Sequence, residues 1–120
     1  MLKTIPELLK EAGKNVRKVT AEQAFVELAE NNGLLIDIRE PVEYAAGSAI
    51  GAINIPRGLL EMKVLELVKQ ENTAIYLHCA SAVRATLGAE SLIRVGYTNV
   101  SAINCKFDVI AKVYGSKPMA

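Results

Sequence analysis

The chain has 120 residues, enough for one domain of ordinary size and too few for two independent cores. Lys and Arg number 14 and Asp and Glu number 13, and the resulting net charge of +1 argues against a general nucleic-acid binder. Hydrophobic residues make up 51% and charged residues 22%, which excludes a disordered chain. No apolar run approaches the roughly 20 residues that cross a bilayer.

The cysteine content and the amino terminus indicate a cellular compartment. Residues 1–16 lack the layout of a signal peptide, and two cysteines are too few for a disulfide scaffold. We therefore expect a cytoplasmic protein in which Cys79 and Cys105 stay reduced, so that each thiol is a candidate for chemistry.

Short aliphatic runs alternate with amphipathic segments along the chain, which is the pattern of a parallel sheet with crossover helices. Residues 1–17 are expected to form a helical extension, with a helix after Thr4, because Glu7 completes a capping box. Thr20 and Gln23 form a second box. The further predicted elements, in chain order, are strand 34–38, a short helix from Pro41, strand 52–55, helix 59–69, strand 74–78, helix 85–95, strand 100–103 and helix 107–114. Residues 116–120 are expected to form a flexible tail.

Cys79 lies between a predicted strand and a predicted helix. In open α/β sheets, ligands bind beyond the carboxyl ends of strands. Unpaired N–H groups at a helix start, and a tight loop of small residues, both favour an anion there and lower the pKa of a thiol from its ordinary value of about 8.5. Arg84 supplies a fixed positive charge suited to an anionic oxygen group. The pattern predicts a nucleophile beside an anion-binding loop, although a buried structural thiol followed by a surface arginine fits it equally well.

Three blocks of sequence carry a family resemblance. Residues 35–44 read Leu-Ile-Asp-Ile-Arg-Glu-Pro-Val-Glu-Tyr, and Gly-Ala-Ile-Asn-Ile-Pro follows at 51–56. The second block is the loop 79–84 and the third is 92–100. In this order, and over about residues 18–115, they resemble the rhodanese family of sulfurtransferases, specifically the single-domain kind. The resemblance implies an α/β fold in which a central parallel five-stranded sheet is flanked by helices on both faces.

The resemblance also implies an activity. Cys79 would carry a sulfane sulfur as a persulfide, taken from thiosulfate or another persulfide and passed to cyanide, a thiol or a sulfur-relay protein. No metal or organic cofactor is required, and neither nucleic acid nor a membrane is implied as a partner. The backbone N–H groups of the loop would bind the charged donor, and these residues are Ala80, Ser81, Ala82, Val83 and Arg84. Ala82 stands where the family often has glycine, and if that position has a positive φ, alanine costs about 1 kcal/mol.

Two other functions stay open at this point. A phosphatase branch of the same fold has five residues between its cysteine and arginine, whereas four separate Cys79 from Arg84, and the smaller loop suits a sulfur atom better than a phosphoryl group. A non-catalytic module that binds a partner or senses redox state is the other alternative. It predicts little turnover and a disulfide between Cys79 and Cys105.

Four residues are candidates for a supporting role. His78 is expected to be a packed, hydrogen-bonded side chain rather than a general acid. Asp37 and Arg39 are expected to form a structural pair that fixes the neighbouring loop, rather than to touch substrate. Cys105 is either a resolving thiol, a second sulfur acceptor or a small residue that fills a glycine site, and the last is favoured because close approach to Cys79 cannot be read from the sequence.

Overall fold

A central sheet of parallel strands organises the molecule. The structure, a computed structural model, describes the backbone of residues 1–117 and the side chains of residues 1–115. The strands in this part of the chain are β1 (Arg17–Val19), β2 (Leu34–Asp37), β3 (Ser48–Ala49), β4 (Ile53–Asn54), β5 (Ile75–His78), β6 (Val100–Ile103) and β7 (Ser116–Lys117). Five of them form the sheet in the order β1-β6-β5-β2-β4, with every pairing parallel.

Helices follow the strands, as expected for crossover connections. They are α1 (Ile5–Ala12), α2 (Ala21–Asn31), α3 (Pro41–Ala46), α4 (Leu60–Leu67), α5 (Val83–Val95) and α6 (Phe107–Tyr114). Both predicted capping boxes start helices, because the hydroxyls of Thr4 and Thr20 accept the N–H groups of Glu7 and Gln23. Among residues 1–117, no helix is long and apolar enough to span a membrane.

The core has two layers, one on each face of the sheet. Ile36 and Leu77 point to a layer that contains Leu60 and Val64 of α4 and Leu92 of α5. Their strand neighbours point the other way, to a layer built with α2 and α6, and its members include Leu35, Tyr76, Ala24 and Ile110. All four residues of β5 are buried, as in a strand covered on both faces. The predicted parallel sheet with helices on both faces is therefore confirmed.

Three of the differences from the predicted boundaries affect the sheet edge, the carboxyl-terminal segment and the cysteine loop. β1 pairs with β6, so the sheet begins at Arg17, inside the expected extension 1–17. The expectation of a flexible tail over 116–120 is wrong for Ser116–Lys117, which pairs antiparallel with β3, while residues 118–120 lie outside the described part. Helix α5 begins at Val83, two residues before the predicted start, because the chain turns at Ala82 rather than after Arg84.

Candidate active site

Cys79 occupies the position immediately after the central strand β5, before the start of α5. Its side chain is 1% exposed and packs in the layer that contains α4 and α5. The Cys79 Sγ accepts the backbone N–H of Ala85, with an N···S distance of 3.3 Å. This N–H belongs to the first turn of α5, where amides have no acceptor within the helix. An N–H directed at sulfur stabilises negative charge on that atom.

The loop after Cys79 is fixed through its carbonyl groups. The Ala80 carbonyl accepts the N–H of Phe107 at 3.0 Å. The Ala82 carbonyl accepts the N–H of Thr86 at 3.0 Å and its hydroxyl at 2.8 Å. Ala82 has φ +73° and ψ −8°, a left-handed conformation. The position therefore has the positive φ that favours glycine, and alanine adopts it at a cost of about 1 kcal/mol.

The backbone amide groups of the loop differ from its carbonyl groups in having no partner among residues 1–117. Within the described residues, the N–H groups of 80–84 donate no hydrogen bond. These are the five groups that the sequence predicts as anion donors. The amide that contacts the sulfur belongs instead to Ala85. The sequence does not predict this contact, because α5 begins two residues earlier than predicted and so includes Ala85 in its first turn.

Arg84 is held by a carboxylate. Its Nη1 and Nη2 donate to Oε1 and Oε2 of Glu43 at 2.7 and 3.1 Å, and each side chain is 35% exposed. Glu43 Oε1 also accepts the N–H of Glu40 at 2.9 Å. The Arg84 guanidinium, together with this N–H, lowers the pKa of Glu43 to about 2. The sequence predicts that Arg84 holds an oxyanion of the donor, but in the structure its guanidinium is already paired with Glu43. The sequence did not predict this partner, because Glu43 stood out only as a member of block 35–44.

Asp37 and Arg39 form the buried pair expected from the sequence. Arg39 Nε lies 3.0 Å from Asp37 Oδ1, Nη2 lies 2.7 Å from Oδ2, and both side chains are buried. Arg39 also donates to the carbonyl of Gly47 at 2.8 Å. The amide of Asn54 donates to the carbonyls of Asp37 and Arg39. Together these contacts tie β2, β4 and the end of α3 into one unit at the carboxyl edge of the sheet.

His78 is fully buried beside this pair. Its Nε2 lies 3.8 Å from Asp37 Oδ2, too far for a hydrogen bond, and neither ring nitrogen has a partner within the described residues. Burial lowers the pKa of His78, against the opposing effect of the Asp37 carboxylate. The Phe107 ring stacks on the imidazole and lies 3.9 Å from Arg39 Cζ. His78 is thus packed as expected, but the hydrogen bond expected of it is not formed with any residue that the structure describes.

The two cysteines are both free. Cys79 belongs to the core layer with α4 and α5, whereas Cys105 is half-buried against the layer with α2 and α6. Cys105 follows β6 and so lies at the same edge of the sheet, yet it packs toward the opposite face.

Comparison with known proteins identifies the family. The family model of the rhodanese-like domain matches residues 20–111. The chain belongs to this family. A protein named sulfurtransferase from Allochromatium vinosum is 31% identical over 97 residues, which are 80% of this chain and 87% of that protein. A putative sulfur carrier protein of Bacillus subtilis, YrkF, is 31% identical over 81% of this chain and 46% of its own length.

Solved structures show the same fold. The thiosulfate sulfurtransferase of Pseudomonas aeruginosa superposes with a TM-score of 0.78 and 25% identity, over 95% of this rhodanese-like chain and 22% of that protein. A protein of unknown function from Rhodopseudomonas palustris, described as a possible tyrosine phosphatase, superposes with a TM-score of 0.81 over 93% of this chain and 92% of its own. Its identity of 21% supports the fold alone.

Proposed function

We propose that this rhodanese-like protein is a sulfurtransferase that carries a sulfane sulfur on Cys79. The observation that carries the proposal is the Cys79 Sγ beneath the first turn of α5, with the Ala85 N–H directed at it. The N–H groups of 80–84, which have no acceptor in the described part of the chain, support it, because they offer donors to an anion next to that sulfur. The relatives named sulfurtransferase and sulfur carrier fit a role in sulfur relay.

The first half-reaction loads the cysteine. The Cys79 thiolate attacks the outer sulfur of thiosulfate and forms a new S–S bond. The S–S bond of thiosulfate breaks, and sulfite leaves with the bonding electron pair. The two negative charges of thiosulfate and the one of the thiolate reappear as two on sulfite and one on the persulfide. Since Cys79 is 1% exposed, the donor has to approach with its single outer sulfur foremost.

The second half-reaction removes the sulfur from Cys79. Cyanide or a thiolate attacks the terminal sulfur of the persulfide, the S–S bond breaks, and the Cys79 thiolate is restored. The Ala85 N–H that contacts Sγ stabilises the charge that returns to this atom. The two half-reactions divide one transfer into two displacements at sulfur, which is covalent catalysis, and the electron count closes without a metal or an organic cofactor. A reducing, cytoplasmic setting remains a prediction.

Intact mass measurement tests the proposal. The protein is incubated with thiosulfate and, separately, with an alkyl persulfide, and we expect a gain of one sulfur that cyanide or a thiol removes. Cys79→Ser should abolish the gain, because the attacking sulfur is lost. Cys105→Ser is the matched control and should load like the natural protein. If neither donor loads the natural protein, or if the Cys79→Ser variant still gains sulfur, the proposal is wrong.

The 1% exposure of Cys79 favours one alternative, a non-catalytic module of the same fold. That alternative predicts no sulfur gain from either donor. Its redox-sensing form predicts instead a mass loss of two hydrogens on oxidation, from a disulfide between Cys79 and Cys105. The same mass spectra therefore separate the alternative from sulfur transfer.

A further inference from the structure

The Glu43 carboxylate is fixed beside the loop that follows Cys79. Both of its oxygens accept from Arg84, and one also accepts the N–H of Glu40. Glu43 belongs to α3, whose following residue Gly47 is bound by the buried Arg39. The carboxylate is thus held from several directions, while its side chain remains 35% exposed.

Glu43 changes the charge that the loop offers to a donor. Arg84 is the guanidinium of this loop, and its positive charge is matched by the Glu43 carboxylate at 2.7 Å. The second nearby guanidinium, Arg39, is matched by Asp37 in the same way. A dianion that approaches Cys79 therefore meets neutral N–H donors and a guanidinium whose charge Glu43 cancels, whereas a donor with one negative charge or none loses less attraction by that cancellation.

We propose that Glu43 sets the donor specificity of this site, favouring a persulfide donor over dianionic thiosulfate. The proposal rests on the proposed function and names the substrate class within it. With a persulfide, the Cys79 thiolate attacks the outer sulfur of R–S–SH and forms a new S–S bond. The S–S bond of the donor breaks, the R–S⁻ thiolate leaves with the electron pair, and the proton stays on the transferred sulfur. Glu43 acts as a specificity-determining residue, because it touches Arg84 rather than the reacting sulfur.

The test compares loading rates for two donors. Second-order rate constants for the gain of one sulfur on Cys79 are measured with thiosulfate and with an alkyl persulfide whose alkyl group is uncharged. In Glu43→Gln, the ratio of the thiosulfate rate constant to the persulfide rate constant should rise about three- to fivefold, the size expected for one half-exposed charge. Glu43→Ala is a second variant that removes the charge, and it should raise the same ratio.

Two controls distinguish charge from structure. Glu43→Asp keeps the charge and should keep the ratio. Glu61→Gln makes the same change of charge in the Arg57–Glu61 pair, whose side chains are 35% and 33% exposed, and should also leave the ratio unchanged. A ratio that stays constant or falls in Glu43→Gln and Glu43→Ala overturns the inference, as does an equal slowing of both donors. Failure of the natural protein to load from either donor would instead overturn the proposed function.

Discussion

Ala82 is the residue at which the backbone of the cysteine loop is strained. Its φ of +73° places a Cβ where only glycine is free of steric conflict. We expect Ala82→Gly to raise the free energy of unfolding by up to about 0.5 kcal/mol, because relief of about 1 kcal/mol of strain outweighs the greater entropy of glycine in the unfolded chain. Urea denaturation measures the difference.

A second alanine provides the control for this substitution. Ala45 is exposed in α3 and has helical geometry, so Ala45→Gly should lower the free energy of unfolding. Loss of stability in Ala82→Gly, of the kind expected for Ala45→Gly, would show that the left-handed conformation carries no strain.

At the residue scale, the sequence predicts features that depend on neighbouring residues and misses contacts between residues far apart in the chain. Cys79 at the end of a strand follows from neighbours in the chain, whereas the question of φ at Ala82 follows from the family resemblance. The contact of Glu43 follows from neither, because its partner Arg84 is 41 positions away and only the fold brings the two together. The sequence also predicts a hydrogen bond for His78, since buried polar groups usually have one, but neither ring nitrogen has a partner among the described residues.

Between elements, an ion pair ties β1 to α2 and β5. Arg17 donates to both carboxylate oxygens of Glu27, and the Tyr76 hydroxyl donates to the same carboxylate. Arg17, followed by Tyr76, lowers the pKa of Glu27 to about 2 from an ordinary 4.5. Because the pKa is lower in the folded state, the carboxylate contributes stability above about pH 4.5 and loses it as the pH falls toward 2.

Replacement of this carboxylate should therefore have an effect that depends on pH. We expect Glu27→Gln to lower the free energy of unfolding by about 1 kcal/mol at neutral pH. The effect is this small because the side chains of Arg17 and Glu27 are both partly exposed, so that solvent screens their attraction. The difference from the natural protein should shrink below pH 4.5, as denaturation at several pH values would show. Glu30→Gln, an exposed position on the same helix, should have little effect at any pH. A Glu27→Gln difference that is constant with pH would contradict the assignment.

Elements with a strong local sequence signal were predictable, and strands without one were not. Val100–Ile103 and Phe107–Tyr114 have the predicted bounds, because a buried aliphatic run and a helical period are strong local signals. β1 has three residues, of which Arg17 and Lys18 are exposed, so its sequence lacks an apolar run. β7 has two residues and exists through its pairing with Ser48–Ala49. Such strands are defined by their partners and not by their own composition.

At the scale of the whole molecule, the amino-terminal segment divides into two parts. Helix α1 contacts α5 but has no fully buried residue, whereas β1 is an edge strand of the sheet and contributes the buried Val19. Deletion of residues 2–12 should leave the fold and the loading of Cys79 intact and lower the Tm by about 5 °C or less. Deletion of residues 2–19 exposes the β6 edge and should cause unfolding or aggregation.

Circular dichroism melts and size-exclusion chromatography distinguish the two truncations. If both proteins unfold, α1 is essential to the core rather than peripheral. If both proteins fold, the sheet does not need β1, contrary to what its pairing with β6 indicates.

The hydrogen bonds that Phe107 and Thr86 donate to the carbonyls of Ala80 and Ala82 have a consequence for ligand affinity. They hold the carbonyl groups of the cysteine loop, while its N–H groups have no acceptor among the residues that the structure describes. An ion that binds those N–H groups does not have to order the segment, since the loss of conformational entropy occurred when the chain folded. More of the attraction between ion and amides is then available as net binding free energy.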